Sequence, residues 1–281
     1  MTLGRAMSVI QAWTRVRRCR SVLVLALLAT GCETSGGRND TSRAGDSGQR
    51  PVQQALVGDP IESARIRSEL AFIYFQRGQM SIALDEVRAA INSDPKYPTA
   101  YNVLGLIHMD LGQNQEAESA FRRALALAPN DSDTLNNFGW FLCQTKRERE
   151  SIPQFLLALK NPLYPTPDKP YLNAGICAQR LGDEGAAEDY FSKAFQLDPL
   201  NAGAMLRLAE LYFKRNEIEK ARFYVDRTNK NFNPSAESLW LALRIERKAG
   251  DHVSESSSAA QRRRRYPNSN EHLLMQQGKF E

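Results

Sequence analysis

The sequence predicts an all-α solenoid of stacked antiparallel helix pairs, and three observations carry that prediction. Small, aromatic and proline residues return to the same places at a 34-residue interval in six successive blocks. Within each interval, two stretches with helical apolar spacing flank a position that favours glycine, as a tight turn between helices requires. Proline recurs near the end of four intervals, as Pro95, Pro129, Pro199 and Pro267, where it stops a helix without breaking its interior. A helix pair of this size cannot cover its apolar face alone, so the interval implies neighbours stacked around a thin continuous core.

The first element precedes the repeats. Residues 1–31 hold Arg5, Arg15, Arg17, Arg18 and Arg20, no acid, and the run Val22-Leu23-Val24-Leu25-Ala26-Leu27-Leu28, too short for a permanent bilayer span. With Ala29-Thr30-Gly31-Cys32 behind it, this segment resembles a bacterial lipoprotein signal peptide. The resemblance implies cleavage before Cys32 and lipidation of that cysteine. Because Glu33 rather than Asp follows, it also implies an outer-membrane anchor with the chain facing the periplasm. Ordinary secretory cleavage beside an incidental cysteine is the alternative. Residues 32–58 follow as a linker rich in Gly, Ser, Asp, Arg and Gln, with too little apolar surface to fold and a reach on the order of 30 Å. The net charge of +5 belongs to the first element: outside residues 1–31, 32 basic residues meet 32 acidic ones, so a nucleic-acid partner loses its electrostatic basis.

The repeats are expected over residues 59–269, opening on the helix start Asp59-Pro60. Counting slots from the start of each block, Pro98 to Asp131 holds Tyr101, Leu104, Gly105, Gly112, Ala117, Phe121, Ala124 and Pro129 at slots 4, 7, 8, 15, 20, 24, 27 and 32. Residues 64–97 precede it with Leu70, Ala71, Tyr74, Gly78, Ala83, Val87 and Ala90. Residues 132–167 keep Phe138, Gly139, Phe155 and Ala158 but run two residues longer, through Asn161-Pro162-Leu163-Tyr164-Pro165-Thr166-Pro167, which predicts an extended loop. Residues 168–201 return to the pattern with Tyr171, Ala174, Gly175, Gly182, Ala187, Phe191 and Ala194, and residues 202–235 keep Leu208, Ala209, Tyr212, Ala221 and Val225. Residues 236–269 keep Leu239, Ala242, Gly250 and Ala259 but carry Glu255 at slot 20, as suits a terminal unit with one polar face. The run Arg262 to Arg265 reads as a solvated helix end, with an anionic partner or lipid as the alternative, and the tail 270–281, with Leu273, Leu274 and Met275, suits a cover for the open end. This register is that of the tetratricopeptide repeat, which implies a right-handed superhelix of about six helix pairs.

Two cysteines remain in the repeats. Cys143 and Cys177 sit late in the first helices of adjacent units, where a bridge is geometrically feasible and a periplasmic location permits it; two buried thiols are the alternative. No histidine pair accompanies them at metal-ligand spacing, and no phosphate loop or nucleophile motif occurs, so neither metal, cofactor, small-molecule substrate nor catalysis is expected. In the tetratricopeptide superhelix, slots 5, 9 and 12 of each first helix share the concave face. Here slot 9 reads Phe72, Leu106, Trp140 and Ile176; slot 12 adds Phe75, Met109 and Phe213; slot 5 adds Asn102, Asn136, Leu172, Leu206 and Trp240. Such a floor suits an extended or helical partner segment, against the alternative that these side chains only pack on neighbouring helices.

The centre of the array narrows the resemblance. Asn136-Asn137-Phe138-Gly139-Trp140-Phe141-Leu142-Cys143, the proline-rich loop 161–167 and Asn173-Ala174-Gly175-Ile176-Cys177 resemble the signature centre of the PilW/PilF family of type IV pilus biogenesis lipoproteins. That likeness implies a pilotin: a non-enzymatic outer-membrane scaffold that helps pilus secretin subunits localise and multimerise. An outer-membrane adaptor recruiting peptidoglycan hydrolases or other envelope enzymes is the other reading.

Overall fold

The computed structural model describes residues 59–278 and Phe280; the expected signal peptide, Cys32 and the linker lie outside them. Six helix pairs follow one another: α1 (Pro60–Gln76) with α2 (Met80–Ser93), α3 (Pro98–Asp110) with α4 (Asn114–Leu127), and α5 (Ser132–Gln144) with α6 (Glu148–Ala158). Then come α7 (Asp168–Arg180) with α8 (Glu184–Leu197), α9 (Ala202–Lys214) with α10 (Ile218–Asn231), α11 (Ala236–Ala249) with α12 (His252–Arg265), and a last helix α13 (Asn270–Gln276). The all-α repeat fold is therefore as the register predicts. Among the described residues no helix is long and apolar enough to cross a membrane.

Each helix is delimited by local chemistry. Asp59, Asp131, Asp183, Asn201, Ser235 and Asp251 accept a backbone N–H of the first turn and so cap the helices that follow them. Slot 15 is left-handed in all six units: Gly78, Gly112, Gly182 and Gly250 have φ of +71° to +81°, and Lys146 and Asn216 take φ of 64° in the same place. A backbone hydrogen bond spans each of these turns, such as Asp183 N to Ala178 O at 3.0 Å and Arg147 N to Leu142 O at 2.8 Å, ending each first helix in the same Schellman geometry. Glycine adopts this conformation without penalty; Lys146 does not.

Packing within each pair is an exchange of volume between slots 8 and 24. A Cβ built on Gly105, Gly139 or Gly175 would lie 2.7, 2.7 or 2.5 Å from the ring of Phe121, Phe155 or Phe191 respectively, so a phenylalanine there demands a glycine opposite. Where slot 24 holds Val87 or Val225, slot 8 holds Ala71 or Ala209, and in the last unit the order inverts to Leu243 and Ala259. The slot 8 and slot 24 side chains of the first five units are fully buried wherever they carry one. The interior is filled once, by whichever helix supplies the bulk.

First helices of successive units touch one another, α1 on α3, α3 on α5, α5 on α7 and α9 on α11, whereas second helices meet each other at most marginally. First helices thus line the inside of the curve and second helices splay on its outside. In the third pair the loop after α6 buries Tyr164, whose hydroxyl donates to Asp133 Oδ1 at 3.0 Å, and leaves Leu163 exposed to solvent. The two extra residues are taken up there without disturbing the stacking of α7 on α5.

The arginine run departs from expectation. Arg262 is fully buried, while Arg263, Arg264 and Arg265 are exposed. Arg262 occupies slot 27, filled by Ala90, Ala124, Ala158, Ala194 and Thr228 in the other units, so the helix register turns this one side chain inward. Its guanidinium lies 4.8 Å from the Trp240 ring centroid, donates to Ser269 Oγ at 3.1 Å and faces Glu271 at 3.5 Å, which ties α13 and its N-cap to the end of the array.

Candidate functional site

The inner face is built from first helices, and its floor follows the slots. Phe72 is 38% exposed. Phe75, Leu106, Met109, Trp140, Leu172, Ile176, Leu206 and Phe213 are half-buried, each packing against the core on one side and open on the other. Asn102, Asn136 and Trp240 are different: all three are buried, at 7%, 9% and 8% exposure. The two asparagines belong to a chain of amides crossing three units, in which Asn137 Nδ2 donates to Asn102 Oδ1 at 3.1 Å and Asn173 Nδ2 to Asn136 Oδ1 at 3.0 Å. Asn137 and Asn173, at slot 6, remain half-open beside the apolar stripe. Slot 6 carried the signal for this chain, which the count of slots 5, 9 and 12 passed over.

The middle of the face is rigidly framed. Cys143 and Cys177, both fully buried, are joined with an S–S distance of 2.07 Å and Cα atoms 5.9 Å apart, linking α5 to α7. Trp140 packs against this pair. Arg180 donates to the Cys143 carbonyl at 3.0 Å and holds its guanidinium 5.6 Å from the Trp140 ring centroid, so the indole is positioned from two sides.

The C-terminal end of the same face has another character. Glu210, Phe213, Lys214, Leu241, Arg244, Arg247, Lys248 and Phe280 surround an open depression of about 750 Å³. Burial pushes the Glu210 carboxyl above its ordinary range, with Arg207, bonded at 2.7 Å, opposing the shift and Glu237 adding to it. Burial likewise draws the Arg244 guanidinium downward, countered only by Glu210. Trp240 is buried here because Phe280 stacks on it, ring centroids 5.5 Å apart, while Arg262 lies against the indole as well. Among the described residues no group of three or more His, Cys, Asp and Glu is disposed to hold a metal.

Six stacked helix pairs whose first helices line the inner face define a tetratricopeptide-repeat scaffold, and family models described as tetratricopeptide repeat match residues 69–132 and 178–244. The relatives are more specific. The type IV pilus assembly protein PilF of Pseudomonas aeruginosa is 29% identical over 259 residues, which cover 92% of this chain and 98% of that one. A crystal structure of PilW, described as a widely conserved type IV pilus biogenesis factor, is 30% identical with a TM-score of 0.69, covering 75% of this chain and 97% of that one. The structure of Pseudomonas aeruginosa PilF gives 29% identity and a TM-score of 0.71 over 78% of this chain and 99% of that one. The chain belongs to the PilW/PilF family of tetratricopeptide-repeat proteins.

Proposed function

We propose that this protein is a non-enzymatic scaffold of type IV pilus biogenesis. Anchored in the outer membrane through a lipid on Cys32 and facing the periplasm, it receives a segment of the pilus secretin on its inner face and promotes localisation and multimerisation of secretin subunits. The observation that supports this most is the half-open stripe Phe72, Leu106, Trp140 and Ile176, one residue from each of four successive first helices. The open amides of Asn137 and Asn173 beside it are fitted to the backbone of an extended segment, and the aromatic floor to its side chains.

The double variant Phe72→Ala/Trp140→Ala is the test. Its circular dichroism melt is expected to stay near that of the parent, while heat-resistant secretin multimers and surface pili fall. Normal multimers in a stably folded double variant refute the groove. Deleting the gene is expected to remove both pili and multimers; intact pili with altered cell-wall turnover would favour an adaptor for envelope enzymes instead.

A further inference from the structure

The seat at the C-terminal end of the inner face is already filled by the chain itself. The Phe280 ring lies against Trp240, the Arg247 guanidinium stands 3.8 Å from the Phe280 ring centroid, and Arg244 Nε donates to the Phe280 carbonyl at 2.8 Å. An aromatic side chain is thus held between an indole and a cation while its backbone is gripped by a second cation. We infer that this seat is a second docking site, for a partner segment that presents an aromatic residue next to a carboxylate, and that Phe280 occupies it until such a segment displaces it.

The charges define the second half of that ligand. Arg244 and Lys248 both lie over the Phe213 ring, at 4.6 and 5.4 Å, and among the described residues neither has a carboxylate within ion-pair distance. Among the described residues Arg247 pairs with Glu255 alone, at 3.5 Å, and Lys214 is held by Glu184 on the neighbouring unit. Glu210, the acid facing these cations, is already bonded to Arg207. Among the described residues the seat therefore carries an excess of positive charge around an aromatic slot, and an acidic group beside the inserted ring would be stabilised there. In sequence, Glu281 follows Phe280, so the self-occupant has the same order of groups.

The tail is also built to let go. Phe280 is joined to α13 through Gly278, which has φ of +67°, and α13 is only seven residues long with Leu273 half in solvent. Among the described residues the segment is held through the Phe280 ring and one backbone hydrogen bond, whereas α13 itself is secured independently by Arg262. A self-occupant of this strength lowers the apparent affinity of a competitor by about fivefold to thirtyfold, the reciprocal of the fraction of time the seat stands empty.

This inference rests on units five and six and does not depend on the stripe of units one to four or on the pilus reading. It is tested with the detergent-solubilised full chain and a fluorescein-labelled peptide whose centre is Asp-Phe-Glu flanked by Gly and Ser, followed by anisotropy. Phe280→Ala is expected to bind the peptide about tenfold tighter than the parent, and adding Arg244→Gln to that variant to reverse the gain. A peptide with Ala for Phe is expected to lose at least tenfold. Equal affinity of parent and Phe280→Ala, with an unchanged circular dichroism spectrum, overturns self-occupancy; equal binding of the Ala peptide overturns the aromatic seat.

Discussion

Replacing Gly175 by alanine should be far more damaging alone than beside a smaller partner. In Gly175→Ala the new methyl would sit 2.5 Å from two carbons of the Phe191 ring, about 1 Å inside ordinary carbon contact. Phe191 is fully buried, so the ring has no solvent to move into, and overpacking should cost about 3 kcal/mol, the upper end of its usual range. Phe191→Val removes roughly four carbons from a closed interior, a further loss of about 3 kcal/mol. Together the two changes reproduce the Ala71 and Val87 pairing that the first unit already uses. The double variant should therefore lose about 2 to 3 kcal/mol rather than 6, a coupling of about 3 to 4 kcal/mol in a double-mutant cycle. Urea unfolding followed at 222 nm on the parent, both singles and the double gives the four values needed. Additivity within about 0.5 kcal/mol would refute the volume-exchange account of the helix pairs.

Other consequences are as direct. Lys146→Gly should stabilise by about 0.5 to 1 kcal/mol by relieving a left-handed lysine, and Gly112→Ala should lose about 1 kcal/mol even though its Cβ would meet nothing within 4 Å; thermal melts of the two variants report both signs. Reducing the Cys143–Cys177 bridge, which closes a sequence separation of 34 residues, should cost about 4 kcal/mol on the chain-entropy account, seen as a lower urea midpoint in dithiothreitol that a Cys143→Ser/Cys177→Ser variant no longer shows. The Tyr212 hydroxyl, bonded at 2.6 Å, and then Arg215 hold the Glu188 carboxyl below its ordinary range in spite of its burial. That contribution is present above the unfolded value of about pH 4.3 and is lost as pH falls through the lower folded one, so Glu188→Gln should flatten the acid limb of the melting profile by about 0.5 to 1 kcal/mol.

What the sequence disclosed, and what it withheld, follows from the range of each interaction. The turn at slot 15 was legible because glycine marks it four times, and the register alone then assigns the same turn to Lys146 and Asn216, where composition says nothing. The pairing of Gly with Phe and Ala with Val is likewise written in the repeats, since both partners belong to one unit. Arg262 was misplaced because a run of like charges suggests solvent; its slot, filled by alanine in four other units, was the stronger signal. Asn102 and Asn136 follow the groove slots but are drawn inward by amides one slot further along the next units. Phe280 had no signal at all. Its partner Arg244 stands 36 residues away, outside any periodicity, and only the return of the tail over α11 brings them together.

The buried Arg262 also sets the character of the array's last face. In the other units, slot 27 is a small side chain against which the next pair settles, so an alanine there would leave the last pair as receptive as those before it, open to the first pair of another molecule. A guanidinium fills that slot instead, engaged with Trp240, Ser269 and Glu271, and it is α13 that lies over it. The last pair thus ends on α13 and an engaged charge where the earlier pairs offer an alanine or threonine to the pair that follows, much as a charged side chain marks the edge strand of a β-sheet.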